Sequence, residues 1–171
     1  CLSREAGEAK QRIRVALRNT GVCLPPCRIT INLSPADRYK SGTAFDLPAA
    51  VGLLASMGLV EAVKTKGILF VGELGLGGEL KAVRGILPIV RAAVREGIAV
   101  CIVPPGNGKE AAVAGEIRVY EADHISQVRA ALQKGLKEGG AEKSGLRRVR
   151  TARETHRICT MYAAKTQGKK R

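Results

Sequence analysis

Residues 100–120, VCIVPPGNGKEAAVAGEIRVY, form the stretch from which the fold class can be inferred. The run Val100–Val103 is wholly apolar and ends at two prolines, which is typical of a short buried strand. The residues that follow predict a helix at 109–114 and a second strand at 117–120. Two strands joined by a helix indicate a parallel βαβ unit, and therefore a layered α/β protein.

The same alternation continues on both sides of this unit. Apolar periodicity and turn residues predict further strands at 28–33 and 68–71, a hairpin that turns at 75–78, and helices at 3–19, 47–57, 86–95 and 125–136. The helix at 47–57 is apolar on almost every side, so we expect it to be deeply buried. The predicted fold is α/β, with a mixed sheet, packed helices and parallel βαβ units in the C-terminal half.

The predicted domain covers residues 1–140. After Gly140 the apolar periodicity stops, and residues 141–171 are expected to form a basic, disordered tail without an ATPase domain. Aromatic residues make up only 3% of the chain, so the core should be aliphatic. We expect one contiguous cluster that contains Leu47, Leu53, Phe70, Ile86, Leu87, Ile102 and Val103.

Composition favours a soluble cytoplasmic protein, with 45% hydrophobic and 26% charged residues. The longest uncharged apolar run, Leu47–Val60, is shorter than the roughly 20 residues that span a bilayer, and no basic-then-apolar leader opens the chain. The five cysteines are odd in number, and Cys23 and Cys27 have no second Cys or His pair nearby. We therefore expect reduced thiols and no metal site.

Three ordered blocks resemble the ComM family, which is also labelled magnesium-chelatase-related or YifB-like. The first block is Asn32–Asp37, Gly42 and Ala44–Ala50; the second is Phe70–Leu74, Gly78–Leu80 and Val83–Ile89; the third is Val103-Pro104, Asn107 and Glu110–Val113. The resemblance covers residues 4–133. It implies a Lon-type proteolytic-domain fold that is followed along the chain by a hexameric AAA+ motor using ATP and magnesium.

Full-length members of this family are thought to move branched DNA during recombination and natural transformation. The family's leading strands should precede Cys1 and its motor should follow residue 140, so a gene fragment or a frameshift product is one hypothesis for this sequence. We expect a non-catalytic accessory domain that serves assembly or DNA contact. No cofactor is expected to bind this chain, and a homohexamer is expected of the full-length family.

The resemblance also invites a peptidase hypothesis, because Lon-type peptidases use a Ser nucleophile and a desolvated Lys base. The blocks put the Ser position at Leu47 and the Lys position at Leu87, and neither neighbouring window contains the required side chain. We therefore predict no catalytic residue. The alternative is an ATP-dependent Ser-Lys endopeptidase whose pair lies elsewhere, for example at Ser41 or Lys81.

Other polar residues have a structural interpretation beside a functional one. Asp46 is interpreted as a helix N-cap rather than a catalytic carboxylate. Glu73 and Glu79 are expected to face solvent or to pair with Arg84 rather than to act as an acid/base couple. The loop Pro104–Lys109 lacks the first Gly and the final Ser or Thr of a Walker motif, so nucleotide binding is not expected.

Basic residues are concentrated towards the C-terminus. The chain has a net charge of +14, and residues 137–171 hold eleven of its 29 basic residues against three acidic ones. The candidates for sequence-independent contact with nucleic-acid phosphates are Arg147, Arg148, Arg150, Arg153 and Arg157. The alternative is a solvated tail without a partner. Residues of the first helix could instead supply a DNA-facing or subunit-facing surface: Arg4, Lys10, Arg12, Arg14 and Arg18.

Overall fold

A sheet of four strands, with helices on both faces, organises the described part of the protein. The structure, a computed structural model, describes residues 4–26, 29–31, 42–136 and 140–150. The described helices are α1 Arg4–Asn19, α2 Asp46–Ser56, α3 Ile86–Arg95, α4 Gly108–Ala112 and α5 Ile125–Lys134. The described strands are β1 Ile68–Phe70, β2 Glu73–Leu74, β3 Leu80–Lys81, β4 Val100–Val103, β5 Arg118–Glu121 and β6 Arg147–Val149.

The main sheet has the strand order β1-β4-β5-β6. β1 pairs with β4 and β4 with β5, both in parallel, whereas β6 joins β5 antiparallel. The crossovers carry α3 and α4, which confirms the predicted parallel βαβ units and the mixed α/β class. β2 and β3 form a separate antiparallel ribbon. Within the described ranges, no helix is long and apolar enough to cross a membrane.

The core consists of two clusters, one on each face of the sheet. β4 shows the division, because Val100 and Ile102 belong to the first cluster, while Cys101 and Val103 belong to the second. Helices α1, α2 and α5 complete the first cluster; α3 and α4 complete the second. The single contiguous cluster predicted from the sequence is therefore wrong, since a strand buried on both faces separates its neighbours into two layers.

Residues 141–150 belong to the folded body. A 3₁₀ turn at Glu142–Ser144 leads into β6, and the side chains of Ala141 and Leu146 are buried in the first cluster. The prediction of a disordered tail from 141 is thus wrong for these ten residues, because pairing with β5 and two apolar anchors suffice for an edge strand. Residues 151–171 of the predicted tail lie outside the described residues.

We expect Leu146→Ala to lower the free energy of unfolding by about 2 kcal/mol. This is near the lower end for a buried Leu→Ala change, because a residue at the sheet edge leaves a gap that can partly collapse. Urea denaturation followed by circular dichroism measures the change, with the exposed Leu76→Ala as control. Equal stabilities of the two variants would contradict the assignment of 141–150 to the core.

The described part of the strand predicted at 28–33 is not a strand in the structure. Residues 29–31 are described and have no regular structure, although Ile29 packs against the first cluster. Arg28, Asn32 and Leu33 lie outside the described residues.

The β2–β3 hairpin is held between two helices. Asn19, the last residue of α1, donates a side-chain hydrogen bond to the Leu76 carbonyl (2.8 Å). At the start of α5, Ser126 N–H donates to Nδ1 of His124, so Nε2 carries the hydrogen and donates to the Gly77 carbonyl at 3.0 Å. Gly78 has φ +99°, and a Cβ there would lie 2.7 Å from the His124 ring. Glycine is therefore required at this turn.

Candidate functional site

Leucines occupy the two positions at which the resemblance to Lon-type peptidases would place the Ser and the Lys. Leu47, in the first turn of α2, is fully buried in the first cluster, and its backbone N–H donates to the Gly72 carbonyl (3.1 Å). Leu87, in the first turn of α3, is half-buried, and its N–H donates to Oε1 of Glu110 (3.2 Å). The sequence predicts Leu87 in the buried core, but its side chain is only half-buried. Neither position offers a nucleophile or a base.

An apolar groove of about 350 Å³ opens between the starts of α2 and α3. Every side chain that lines it is apolar: Ala44, Phe45, Pro48, Ile68, Leu69, Phe70, Val71 and Ile89. Without a polar side chain, the groove is suited to accepting apolar surface rather than to activating a water or holding a charged ligand. The groove was not predicted from the sequence.

The floor of the groove is the side of β1 that faces away from β4. Gly72 lies just beyond β1, and its backbone groups point away from β4. Its N–H donates to the Ala44 carbonyl (3.2 Å), and its carbonyl accepts from the Leu47 N–H. Ile68 and Phe70 point their backbone groups in the same direction, because these directions alternate along a strand. In the part of the chain that the structure describes, those groups have no hydrogen-bond partner.

Asp46 lies beside the groove and is a structural carboxylate. It is 1% exposed, and its Oδ2 accepts from Nε of Arg12 (3.0 Å) and from the Leu74 N–H (3.3 Å), while Oδ1 accepts from Nη2 of Arg12 (3.2 Å). The N-cap interpretation is wrong: Phe45 occupies the cap position, and Asp46 is already the first helical residue. The carboxylate joins α1, α2 and β2 in one network.

Two opposing influences act on the Asp46 carboxyl. Burial raises its pKa, and the hydrogen bonds from Arg12 and Leu74 partly offset that effect. Conversely, the hydrogen bond to Asp46 raises the pKa of the Arg12 guanidinium, with burial acting against it. A buried carboxylate that is already saturated by a guanidinium and an amide is suited to joining elements rather than to proton transfer.

Glu73 and Glu79 have separate partners. Thr43 Oγ1 donates to Oε2 of Glu73, and Lys81 lies 3.9 Å from Oε1 of Glu79. Glu79 faces solvent, which is one of the two expected arrangements, and within the described residues neither glutamate pairs with Arg84. Lys81, the alternative base, is exposed on β3 next to Glu79, and Ser41 lies outside the described residues.

The loop Pro104–Lys109 serves as an internal connector. Asn107 is buried and forms two hydrogen bonds with the backbone of Val83. Its Nδ2 donates to the Val83 carbonyl (2.8 Å), and its Oδ1 accepts from the Val83 N–H (2.9 Å). The N–H of Gly108 donates to Oε1 of Glu121 (3.2 Å). A carboxylate of the protein therefore occupies the end of α4 where a nucleotide phosphate would have to bind.

Asn107→Ala should lower the free energy of unfolding by about 1–3 kcal/mol, because it leaves the backbone groups of Val83 unsatisfied in a half-buried site. Thermal denaturation measures the effect. Lys109→Ala, two residues along and exposed, serves as control and should change little. A result in which Lys109→Ala is the more damaging change would contradict the structural role of the loop.

The predicted nucleic-acid candidates differ in their surroundings. Arg147 contacts two carboxylates, Glu121 at 3.3 Å and Asp123 at 3.6 Å. Arg148 lies on the opposite face of β6, with its guanidinium 6.0 Å from the centre of the Tyr120 ring. Arg150 is exposed just after the strand. Arg153 and Arg157 lie outside the described residues.

The two described cysteines, Cys23 and Cys101, and the described histidine, His124, lie apart in the sequence. Burial raises the pKa of the Cys101 thiol to about 12, as expected for an inert thiol in a strand, whereas Cys23 is exposed. His124 forms the hairpin contact described above. Among the described residues, no three His, Cys, Asp or Glu side chains come together in an arrangement that could hold a metal ion.

Comparison with known proteins identifies the family. The family described as "Subunit ChlI of Mg-chelatase" matches residues 2–107. The chain belongs to the ChlI family. This match covers α1, α2, the hairpin, α3 and β4, and therefore includes Asp46, the groove and both leucine positions.

This ChlI-family chain is similar to the ComM and YifB proteins. It is 39% identical over 121 residues to "Competence protein ComM" of Haemophilus influenzae, which is 71% of the chain and 24% of that protein. It is also 39% identical over 126 residues to "Uncharacterized protein YifB" of Salmonella typhimurium, 74% of the chain and 25% of that protein. The chain thus spans about a quarter of the length of these relatives.

A more distant similarity connects the ChlI-family chain with Lon. It is 32% identical over 89 residues to "Archaeal Lon protease" of Thermococcus kodakarensis, which is 50% of the chain and 14% of that protein. This supports the expected Lon-like relationship of the fold.

Proposed function

We propose that this chain is a non-catalytic, Lon-like accessory domain of a ComM-type magnesium-chelatase-like ATPase that acts on DNA. The observation that carries the proposal is the leucine at each dyad position, one of them fully buried. A serine at the position of Leu47 would have no access to a peptide, and no lysine stands at the start of α3. The similarity to a protein named for competence supports a role in DNA uptake or recombination.

The contact with DNA is proposed to use the exposed face of β6. Arg148, whose guanidinium also lies 6.0 Å from the centre of the Tyr120 ring, is exposed on this strand, and Arg150 is exposed just after it. Arg147 on the other face forms salt bridges with Glu121 and Asp123. Arginines can bind phosphates, and the described part of β6 has no Asn or Gln with which to read base edges. Binding should therefore be independent of DNA sequence and strongly dependent on salt.

Two further parts of the proposal rest on the family relationship. ATP and magnesium would be bound by the remainder of a full-length protein, because no Walker motif occurs in this sequence. Assembly as a cytoplasmic homo-oligomer is proposed in the same way. The apolar groove beside α2 would serve assembly rather than chemistry.

The test is binding of a fluorescein-labelled 20-base-pair duplex, measured by anisotropy over a range of salt concentrations. Arg148→Gln/Arg150→Gln should reduce the slope of log affinity against log salt by about 1.8, that is about 0.9 for each lost phosphate contact. The control is Arg91→Gln/Arg95→Gln on α3, which removes the same charge from another exposed surface. Equal losses in both variants would contradict a specific role for β6.

The peptidase alternative is tested with the same protein. Fluorescent casein should remain intact in the presence of ATP and magnesium. Cleavage that is lost on Lys81→Ala or Ser41→Ala would overturn the non-catalytic assignment.

A further inference from the structure

A second basic surface, separate from the one at β6, lies along helix α1. Lys10, Arg14 and Arg18 follow one another at intervals of four residues, so their side chains lie along the same side of the helix. Lys10 and Arg18 are exposed and Arg14 is half-buried. Arg12 points elsewhere, because its guanidinium is bound to Asp46. The structure thus separates one structural arginine from three outward-facing cations.

The stripe is not neutralised within the helix. Solvated helix faces commonly alternate opposite charges three or four residues apart, whereas like charges at that spacing destabilise the helix. The positions three and four residues from these cations hold no carboxylate: they are Ala6, Gly7, Gln11, Ile13, Val15, Leu17, Gly21 and Val22. Within the described ranges, none of the three cations forms a salt bridge. Lys10 with Arg14, and Arg14 with Arg18, are therefore like-charge neighbours that no carboxylate of the described residues neutralises.

We propose that this stripe binds the phosphate backbone of DNA as a second surface beside β6. The proposal rests on the proposed function and adds to it a site on the folded body that is far from the basic C-terminal segment in sequence. From Lys10 to Arg18 the helix rises by about 12 Å. Phosphates of one strand of a duplex follow at about 3.4 Å along its axis, so the stripe covers three to four of them.

A nucleic acid fits the stripe better than a membrane surface does. Helices that lie on membranes insert an apolar face next to their basic face. The apolar face of α1 is already occupied, because Ile13, Ala16 and Leu17 are buried in the first cluster. Among the described neighbours of the stripe, Gly7, Gln11 and Gly21 are exposed, and none of them offers an apolar side chain for insertion.

The experiment compares two triple variants of equal charge in the labelled-duplex assay. Lys10→Gln/Arg14→Gln/Arg18→Gln should reduce the salt slope by about 2.7, and affinity at 0.1 M salt should fall at least about tenfold. Arg84→Gln/Arg91→Gln/Arg95→Gln removes three exposed cations from α3 and its approach, and should leave the slope within about 0.5 of the unmodified protein. The melting temperature of the α1 variant should be unchanged or raised, because repulsion along the helix is removed.

Each outcome either supports or overturns the proposal. Equal losses in the two triple variants would mean that only net charge matters, and no loss in the α1 variant would mean that the stripe does not touch DNA. Binding to vesicles with anionic lipids that depends on α1, without DNA binding, would assign the stripe to membranes instead. If the unmodified protein binds DNA and only the β6 variant weakens that binding, the inference about α1 is wrong and the proposed function stands. If the unmodified protein binds no DNA, the proposed function fails with it.

Discussion

Replacing Arg12 with alanine should destabilise the protein by about 3–5 kcal/mol at pH 7, because the change leaves the Asp46 carboxylate buried without its cation. Asp46 is 1% exposed and, among the described residues, keeps only the Leu74 N–H as a hydrogen-bond donor in the variant. Urea denaturation measures the loss. Arg14→Ala on the same helix removes an equal charge and should have a much smaller effect.

The same variant should show a characteristic dependence on pH. Burial raises the pKa of Asp46 even with Arg12 present, and loss of Arg12 should raise that pKa further. A carboxyl whose pKa is higher in the folded than in the unfolded state binds its proton more tightly when folded, so its contribution to stability falls as pH rises through that interval. Loss of Arg12 widens the gap between the pKa of Asp46 in the folded state and its pKa in the unfolded state. The loss of unfolding free energy caused by Arg12→Ala should therefore become smaller as the pH is lowered from 7 towards the range in which carboxyl groups titrate. A difference that grows on acidification would show that Asp46 is not the group involved.

Phe70→Ala should lower the free energy of unfolding by about 3–5 kcal/mol, which is enough to unfold a marginally stable domain. Phe70 is 9% exposed, belongs to the first cluster, and is one of only two phenylalanines in the chain. Phe70→Leu keeps most of the volume and should cost about 1 kcal/mol. Circular dichroism during thermal denaturation distinguishes the two. Similar melting temperatures for both variants would indicate that β1 is not packed as described.

Elements bounded by strong local signals were predicted well from the sequence. The bounds 86–95 and 100–103 agree with α3 and β4 because Gly97 ends the helix and two prolines end the strand. β6 was missed because a run dominated by arginine has no apolar periodicity. Its place at the sheet edge needs only backbone pairing with β5 and the apolar anchor Leu146.

The candidate site was predicted less completely than the fold. The leucines at the two dyad positions follow from aligning the sequence blocks, so the lack of a dyad at those positions is evident from sequence alone. The role of Asp46 is not, since its partner Arg12 lies 34 residues away and a local rule favours a cap. The partition of β4 into two clusters also depends on which helices cover each face, and periodicity alone does not contain that information.

Within the described residues, the two end strands of the sheet have opposite consequences for solubility. β6 carries arginines on both faces, and charged side chains on an edge strand oppose pairing with another chain. At β1, the backbone groups of Ile68 and Phe70 that face away from β4 have no partner among the described residues, and the side chains that line the groove beside them are uncharged. We therefore expect concentrated solutions of the isolated chain to self-associate through β1. Ile68→Lys should raise the protein concentration at which aggregates form, whereas extra charge on β6 should have little effect.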